Sequence, residues 1–564
     1  ESLVVNVIDG APVYLRDVAQ VVDGPAEAES YTWIGFAPQH KRGELGDRPM
    51  VAISVAKQRG SNAVSVAKAV HEAMADMQRE LLPPEVQVEV LRDYGQTANE
   101  KVNNLSTSLG FAIFTVVVFI GVFLGWRPAL VVGLAVPICY GITLAMDMAL
   151  GYTINRVTLF ALILSLGLLV DDPITGVDNI ERHLGRSTSA DSDISNAIYE
   201  IRMPLLMSTL AVIIAFAPMS FITGMMGPYM SPMAFNVPVA VVMSTAVAFL
   251  VTPWLGSLLL KSNSDGQPIS RSGLYGIYER LLRPMLDSRK KSWIFLGLTA
   301  LLFLLALSLP LLRLVPLKLL PYDNKNEFQV VIDAPETMTL EGTEAVVASM
   351  ATFLQGVPEV STVSTFSASH SPMDFNGLVR HYYLRGRPNE AELRVTLADK
   401  LARQDQSHAL ILRLRPELAS IAEDYGVNVK LVEVPPGPPV IATLVGEHYG
   451  TPTTPYQTLI DASAATAVRL RKEPGVVDVD ISAADSAQRL IFVPDQEKAA
   501  LSGISAQTIA TALEVAISGY TATYAGVEDE VNPLPVVVRV PFARRDELMS
   551  LHVEGLPGIA KDRT

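Results

Sequence analysis

Along the chain, long runs with almost no charge alternate with stretches that mix apolar and polar residues at helix or strand spacing. Six runs have the length of a membrane helix, which needs about 20 apolar residues to cross about 30 Å of hydrocarbon. Residues 105–125 (LSTSLGFAIFTVVVFIGVFLG) carry no charge and are the clearest of them. Residues 129–150 follow directly after Trp126-Arg127-Pro128, a connection so short that it predicts an antiparallel neighbour. The remaining runs are 157–179, 204–224, 233–260 and 292–312.

Lysine and arginine bias predicts the orientation of these spans. The first connection holds Arg127, the third Arg182, Arg186 and Arg202, and the fifth Lys261, Arg271, Arg280, Arg283, Arg289, Lys290 and Lys291. The second holds only Arg156, and the fourth (TGMMGPYMSP) is bare. The basic connections should face the cytoplasm. Six crossings then bring residues 1–100 and 315–564 together on the far side, the periplasm of a Gram-negative cell. Within the fifth connection, residues 261–291, Leu274, Ile277, Tyr278, Leu281, Leu282 and Met285 share one face of a helix. That spacing predicts an amphipathic helix on the membrane surface, with packing on other cytoplasmic protein as the alternative.

The outer regions read as mixed α and β. Residues 50–57 alternate like a strand, 61–80 have helical spacing, and Val86–Val90 alternate again. The strand–helix–strand order returns at 327–333, 340–355 and 359–366, and once more around 440–446, 456–472 and 476–482. The predicted fold class is a membrane α-helical bundle with α+β outer subdomains built from ferredoxin-like βαβ repeats. Pro435-Pro436-Gly437-Pro438-Pro439 marks a subdomain edge. Glu1 lacks an initiator Met and no signal-like segment follows it, so a piece of a longer gene product, or a processed chain, is expected.

Composition narrows the class. Charged residues are 18% of the 564, below the roughly 25% of soluble domains. A net charge of −14 with no basic stripe speaks against a nucleic-acid partner. The single cysteine, Cys139, lies in an apolar run and cannot build a disulfide framework.

The most informative residues are Asp171 and Asp172, side by side in the third span within GLLVDDP. An ionised Asp at the bilayer centre costs about 2.5–3.5 kcal/mol. Such groups persist when protonated, paired with a cation or lining a polar cavity, which makes a proton-carrying role the leading reading. Locking helix register against a basic residue is the structural alternative. Asp171, Thr175 and Asp178 fall on one helix face, with Asp172 turned about 100° away. Asp178 and Thr175 are possible accessories to the pair, and Asp178 reads equally well as a plain interfacial charge. Pro173 cannot donate to the carbonyl of Leu169, so a kink or a freed acceptor is expected there.

Other chemistries fit less well. An intramembrane aspartyl protease needs two aspartates converging from different helices, and adjacent residues on one helix diverge. Asp147, near the outer end of the second span, has Arg156 as its expected partner. The eight histidines are scattered, and no metal site is expected from them. Met225, Met226, Met230 and Met233 cluster in an outer loop, where soft thioethers suit Cu(I) but packing is the simpler use. No phosphate-binding loop with Lys-Ser/Thr is present, so ATP is not the expected energy source. Phe366–Gly377 (FSASHSPMDFNG) has the composition of a mobile binding segment, though substrate-binding residues stay unassigned.

GLLVDDPITGVDNIERH resembles the proton-relay helix of resistance-nodulation-division (RND) transporters, usually written GLLVDDAIVVVEN. Asp171 and Asp172 match the paired aspartates, and Asp178-Asn179 match the acidic-Asn step; Pro173, Thr175 and Gly176 depart from the pattern. Leu15–Ala19 (LRDVA), Asp495–Ala499 (DQEKA) with Leu501–Ile504, and Leu320-Pro321 ahead of the Glu327–Asp333 strand are similar to further family segments. The resemblance covers essentially the whole chain.

It implies a proton-driven inner-membrane exporter of hydrophobic or amphiphilic compounds, of the acriflavine-resistance type, that is not an enzyme. Asp171 and Asp172 would be its proton relay. The proton gradient would serve in place of any cofactor. The implied map places 1–100 at the end of a first periplasmic porter/docking region, five helices in 101–260, a sixth in 292–314, and an incomplete second porter/docking region in 315–564. Implied partners are membrane lipid, two further copies in a homotrimer, a periplasmic adaptor, an outer-membrane channel and small-molecule substrates. The family's lysine counter-ion would come from helices outside this chain. The alternatives are a heavy-metal cation exporter of the same family and, from a different class, a non-transporting relative that senses sterols or assists translocation.

Overall fold

The computed structural model describes residues 4–43, 46–184, 190–260, 273–315, 324–435, 437, 440, 442–483, 491–526, 532–541, 544–545 and 553. The chain divides into two units, Glu1–Ala483 and Ala484–Thr564. The first unit opens with the hairpin β1 (Val4–Ile8) and β2 (Ala11–Tyr14), followed by the short helix α1 (Leu15–Val18). Strands β3 (Tyr31–Phe36) and β4 (Asp47–Pro49) and helix α2 (Ala63–Glu80) complete its first outer segment.

Five long apolar helices follow: α3 (Tyr94–Phe123), α4 (Trp126–Ala149), α5 (Arg156–His183), α6 (Ala190–Phe216) and α7 (Gly227–Leu259). After them come α8 (Gly273–Asp287) and the sixth span, α9 (Arg289–Leu311). Each expected apolar run overlaps a candidate membrane span, though the 204–224 run continues past α6 into the 3-10 turn Ala217–Phe221. Helices α4, α5 and α7 form the packed centre, with Val131, Cys139, Leu169, Val177, Ile180, Ala240 and Val247 buried. No residue of α9 is buried within this chain. A helix that is apolar all round needs lipid or other helices about it. On α8, Ile277, Tyr278 and Leu281 are exposed and Leu282 and Met285 half-buried; Leu274 lies outside the described side chains.

Beyond the membrane helices come β5 (Glu327–Asp333), α10 (Leu340–Gln355), β6 (Val360–Ser367), α11 (Phe375–Val379), β7 (Glu390–Leu397), α12 (Ser407–Tyr425), β8 (Asn428–Glu433) and α13 (Tyr456–Leu470). The strands form one antiparallel sheet in the order β4-β3-β6-β7-β5-β8. Its last four strands, with α10 and α12, make a β-α-β-β-α-β unit. Both helices cover the same sheet face. Val346, Val347, Met350 and Leu354 of α10, and Leu410, Ile411, Leu414 and Leu418 of α12, pack on Val330, Ile332, Val363, Leu393 and Val395.

Strands β3 and β4 enter this sheet from the other end of the chain, and Trp33 pairs with Thr365. Segments flanking the membrane helices can share a sheet only on one side of the bilayer, so the number of crossings between them must be even.

The expected strands at 50–57, Val86–Val90 and 476–482 do not form, nor does one over the described part of 440–446. Alternation makes a strand only where a neighbour accepts its backbone bonds. Met50 still donates its N–H to the Thr32 carbonyl of β3 at 3.0 Å, but the chain then leaves the sheet, and Val51 and Ile53 are 90% and 87% exposed. Among the described residues the β-α-β-β-α-β unit therefore occurs once as paired strands, and the third expected copy is represented by α13. Arg186, Lys261, Arg271, Leu320, Pro321, Pro436, Pro438 and Pro439 lie outside the described residues. The second unit contains α14 (Gln496–Leu501), α15 (Ala506–Ile517) and a hairpin of β9 (Tyr520–Ala525) with β10 (Leu534–Val538). The DQEKA segment spans the N-cap of α14, where Asp495 accepts from the Lys498 N–H at 3.1 Å.

Candidate functional site

Helix α5 starts on an Asn155 cap that accepts from the Val157 and Thr158 N–H groups at 2.8 and 3.1 Å. It runs through Pro173 without ending. The carbonyl of Leu169, which Pro173 cannot serve, accepts instead from the Ser244 hydroxyl of α7. The freed acceptor expected beside the aspartates is thus filled across the helix interface, and it fixes the register of α5 on α7.

One turn on, Asp172 is buried, 3% exposed, against the same helix. Thr245 Oγ1 lies 2.6 Å from Asp172 Oδ2, 3.1 Å from the Val241 carbonyl and 2.6 Å from Thr209 Oγ1 of α6. Thr209 Oγ1 lies 2.8 Å from the Leu205 carbonyl. These bonds can run two ways. With Asp172 ionised, Thr245 donates to the carboxylate. With Asp172 protonated, Asp172 can donate to Thr245, which turns its own proton to Val241 or Thr209. The hydroxyl pair therefore accommodates both protonation states without leaving a buried donor unpaired.

Asp171 faces the other way. Phe160, Leu164, Gly167, Asp171, Thr175 and Asp178 make a stripe on α5 that the rest of this chain leaves exposed. Asp178 pairs with Arg182 at 2.8 Å one turn on, which is what a plain interfacial charge does. Among the described residues no Lys or Arg pairs with Asp171 or Asp172. At the C-terminal end of α5, Asn179 donates to the Ala197 carbonyl of α6 at 2.7 Å, and His183 lies 3.1 Å from Glu200.

The sequence reading singled out the two aspartates and missed their hydroxyl partners. Ser244-Thr245 is an adjacent polar pair halfway along an otherwise apolar helix, which was the available signal. Asp147 is also buried, with Asn236 of α7 beside it. Its expected partner Arg156 has its side chain outside the described residues, as does Met225 of the methionine cluster. Among the described residues no three His, Cys, Asp or Glu side chains gather as a metal-ligand set.

A charged joint ties the N-terminal end of α3 to the sheet. Arg92 donates to Glu327 at 2.6 Å and to Asp374 at 3.0 Å, and Arg394 donates to Asp374 at 2.9 Å. Ser371 donates to the buried Glu392 at 2.6 Å. The Phe366–Gly377 segment, expected as mobile, is anchored here because Asp374 bridges two guanidinium groups. Burial alone would push the Asp374 carboxyl up. The Arg394 charge and hydrogen bond, the Gly377 N–H and the Arg92 charge outweigh it and hold the group below its ordinary value.

Residues 1–554 match the sequence model of the AcrB/AcrD/AcrF family. The chain belongs to this family of RND efflux transporters. Among its curated relatives is Multidrug resistance protein MdtC of Cronobacter sakazakii (strain ATCC BAA-894), 23% identical over 578 residues, covering 99% of this chain and 52% of the relative. MdtC of Yersinia pestis bv. Antiqua (strain Angola) is 23% identical over 517 residues, covering 89% of this chain and 46% of the relative. MdtC of Yersinia pseudotuberculosis serotype O:3 (strain YPIII) matches over the same shares. This RND chain spans about half the length of the curated relatives it matches.

Proposed function

We propose that the chain is part of a proton-driven inner-membrane pump exporting hydrophobic or amphiphilic compounds, with Asp171 and Asp172 as its proton relay. The observation that supports this reading is Asp172 buried among Thr245 and Thr209 while Asp171, its neighbour, opens onto an uncovered face of the same helix. One acid is held in a hydroxyl network that tolerates both protonation states. The other is presented to helices of the remaining protein, from which the family's lysine counter-ion would reach it. Protonation drives a cycle only if the two states prefer different helix arrangements, and the Ser244–Leu169 and Thr245–Asp172 bonds are where α5 and α7 would register that difference. Residues 1–100 and 315–564 are the periplasmic porter and docking regions of this reading. The working assembly is a homotrimer docked to an adaptor and an outer-membrane channel.

The test is the complete gene in a host stripped of its own pumps, challenged with dyes, detergents and metal salts. Asp171→Asn and Asp172→Asn should each abolish resistance while inserting normally. Resistance retained by both variants defeats the relay assignment.

A further inference from the structure

Helix α8 keeps its apolar and charged residues apart. At about 100° per residue, Ile277, Tyr278, Leu281, Leu282 and Met285 fill one arc, and Glu279, Arg283 and Asp287 lie in a row on the other. Arg283 donates to Glu279 at 2.8 Å and lies 3.9 Å from Asp287, so both acids of α8 are spent on one cation. Ile277, Tyr278 and Leu281 are exposed. Arg280 sits at the flank between the two arcs, exposed and without a hydrogen bond or ion pair among the described residues.

The start of α9 adds Arg289, Lys290 and Lys291, exposed and equally unpaired among the described residues. The helix itself gains nothing from them. A helix N-terminus carries partial positive charge, which acids stabilise and cations do not. The first turn of α9 has no acid, and Ser288 gives it no side-chain cap. The Ser292 hydroxyl donates to the Met285 carbonyl, which ties the end of α8 to the start of α9 and makes one surface of the two.

Between Gly276 and Trp293 the chain thus holds five cations against two acids. This surface adjoins hydrocarbon. From Trp293 to Leu311 α9 carries no charge, and Trp293 is exposed at its entry, where an aromatic ring sits at headgroup level. Five of the six spans separate β3 from α8, which puts the surface across the bilayer from the sheet. A zwitterionic headgroup brings its own cation and leaves the positive excess unbalanced; an anionic one offsets it. Cations at the flank of an apolar helix face reach headgroup phosphates with their stems over the acyl chains. We propose that α8 and the first turn of α9 form a docking surface for anionic phospholipid, with Arg280, Arg289, Lys290 and Lys291 on the headgroups and Ile277, Tyr278 and Leu281 among the acyl chains.

The proposal needs the membrane spans but not the export reading, and its test does not use transport. The complete transporter containing this chain is placed in nanodiscs of phosphatidylcholine, alone or with an equal share of phosphatidylglycerol, and amide exchange is followed. Phosphatidylglycerol should slow exchange over residues 276–291 about tenfold and leave the β5–β7 pairs unchanged. Combining Arg280→Gln, Arg289→Gln, Lys290→Gln and Lys291→Gln should erase the difference between the lipids. Glu279→Gln with Asp287→Asn removes the two acids, frees Arg283 and should enlarge it, which keeps the test decisive if the four-glutamine variant inserts poorly. Fast exchange over α8 in both lipids overturns the proposal and leaves the apolar face to a protein partner. So does a lipid difference unmoved by either variant, which would place the anionic lipid elsewhere. Slowing reproduced by inorganic phosphate in phosphatidylcholine alone would make the ligand a free anion and also overturn it.

Discussion

Removing the Thr245 hydroxyl isolates the bond to Asp172 while leaving the carboxyl in place. A hydrogen bond to a charged group contributes about 1.5–3 kcal/mol, which corresponds to about 10- to 100-fold in rate. Thr245→Val should therefore slow dye export from vesicles at least about tenfold, and Thr245→Ser should restore most of it. Equal rates in wild type and Thr245→Val would remove the hydroxyl from the relay. Legibility at this scale was uneven for a physical reason. An acid in hydrocarbon is costly wherever it points, so Asp171 and Asp172 stand out from composition alone. A hydroxyl in an apolar helix usually bonds its own preceding turn, as Thr143 does with the Cys139 carbonyl at 2.9 Å. The adjacent pair Ser244-Thr245 marks a polar spot, but not that Ser244 reaches the Leu169 carbonyl and that Thr245 reaches Asp172 as well as its own Val241 carbonyl.

Among the elements, the spans were readable because each must be apolar along its whole length. The Leu169 vacancy was readable because proline removes a donor whatever its surroundings. Residues 51–57 show the opposite case: their alternation reads as a strand, but a strand is a property of two segments. The joint at Arg92 was likewise invisible, since its partners Glu327 and Asp374 are 235 and 282 residues away in the chain. Arg92→Met leaves Glu327 without its guanidinium and Asp374 with one in place of two. Breaking a buried pair costs about 3–5 kcal/mol, and here the loss should be local. Amide exchange should quicken by tenfold or more over residues 371–377 and at the first turn of α3, with the β5–β7 pairs unaffected. Uniform protection across both would show that the joint carries no load.

For the whole molecule, the sheet domain that holds Asp333 and Asp374 should be acid-sensitive. Burial would push the Asp333 carboxyl up, but the Arg385 and Lys430 charges hold it below its ordinary value, as the two arginines do for Asp374. When the folded carboxyl binds its proton more weakly than the unfolded one, its stabilisation is complete above about pH 4 and is lost as the pH falls through the lowered folded value. The unfolding temperature of that domain should drop steeply below about pH 4, and Asp374→Asn should flatten that drop. In the membrane, the α5 stripe should be covered by the rest of the protein. Single cysteines at Leu164 or Gly167, placed in a complete transporter from which Cys139 and any other native cysteine have been removed, report this cover. Both should resist maleimide in the complete transporter and react once it is unfolded.

The shared sheet also sets a clock for biosynthesis. Gln39, just past β3, donates to the Val357 carbonyl, 318 residues later. At about 5–20 residues per second of synthesis, β3 leaves the ribosome on the order of 15–65 s before its partner strand exists. For that interval an open strand edge, with Trp33 and Ile34 on it, waits while several membrane helices are inserted. Nascent chains paused within α7 should accordingly be captured by holding chaperones on the outer side, and released ones should not.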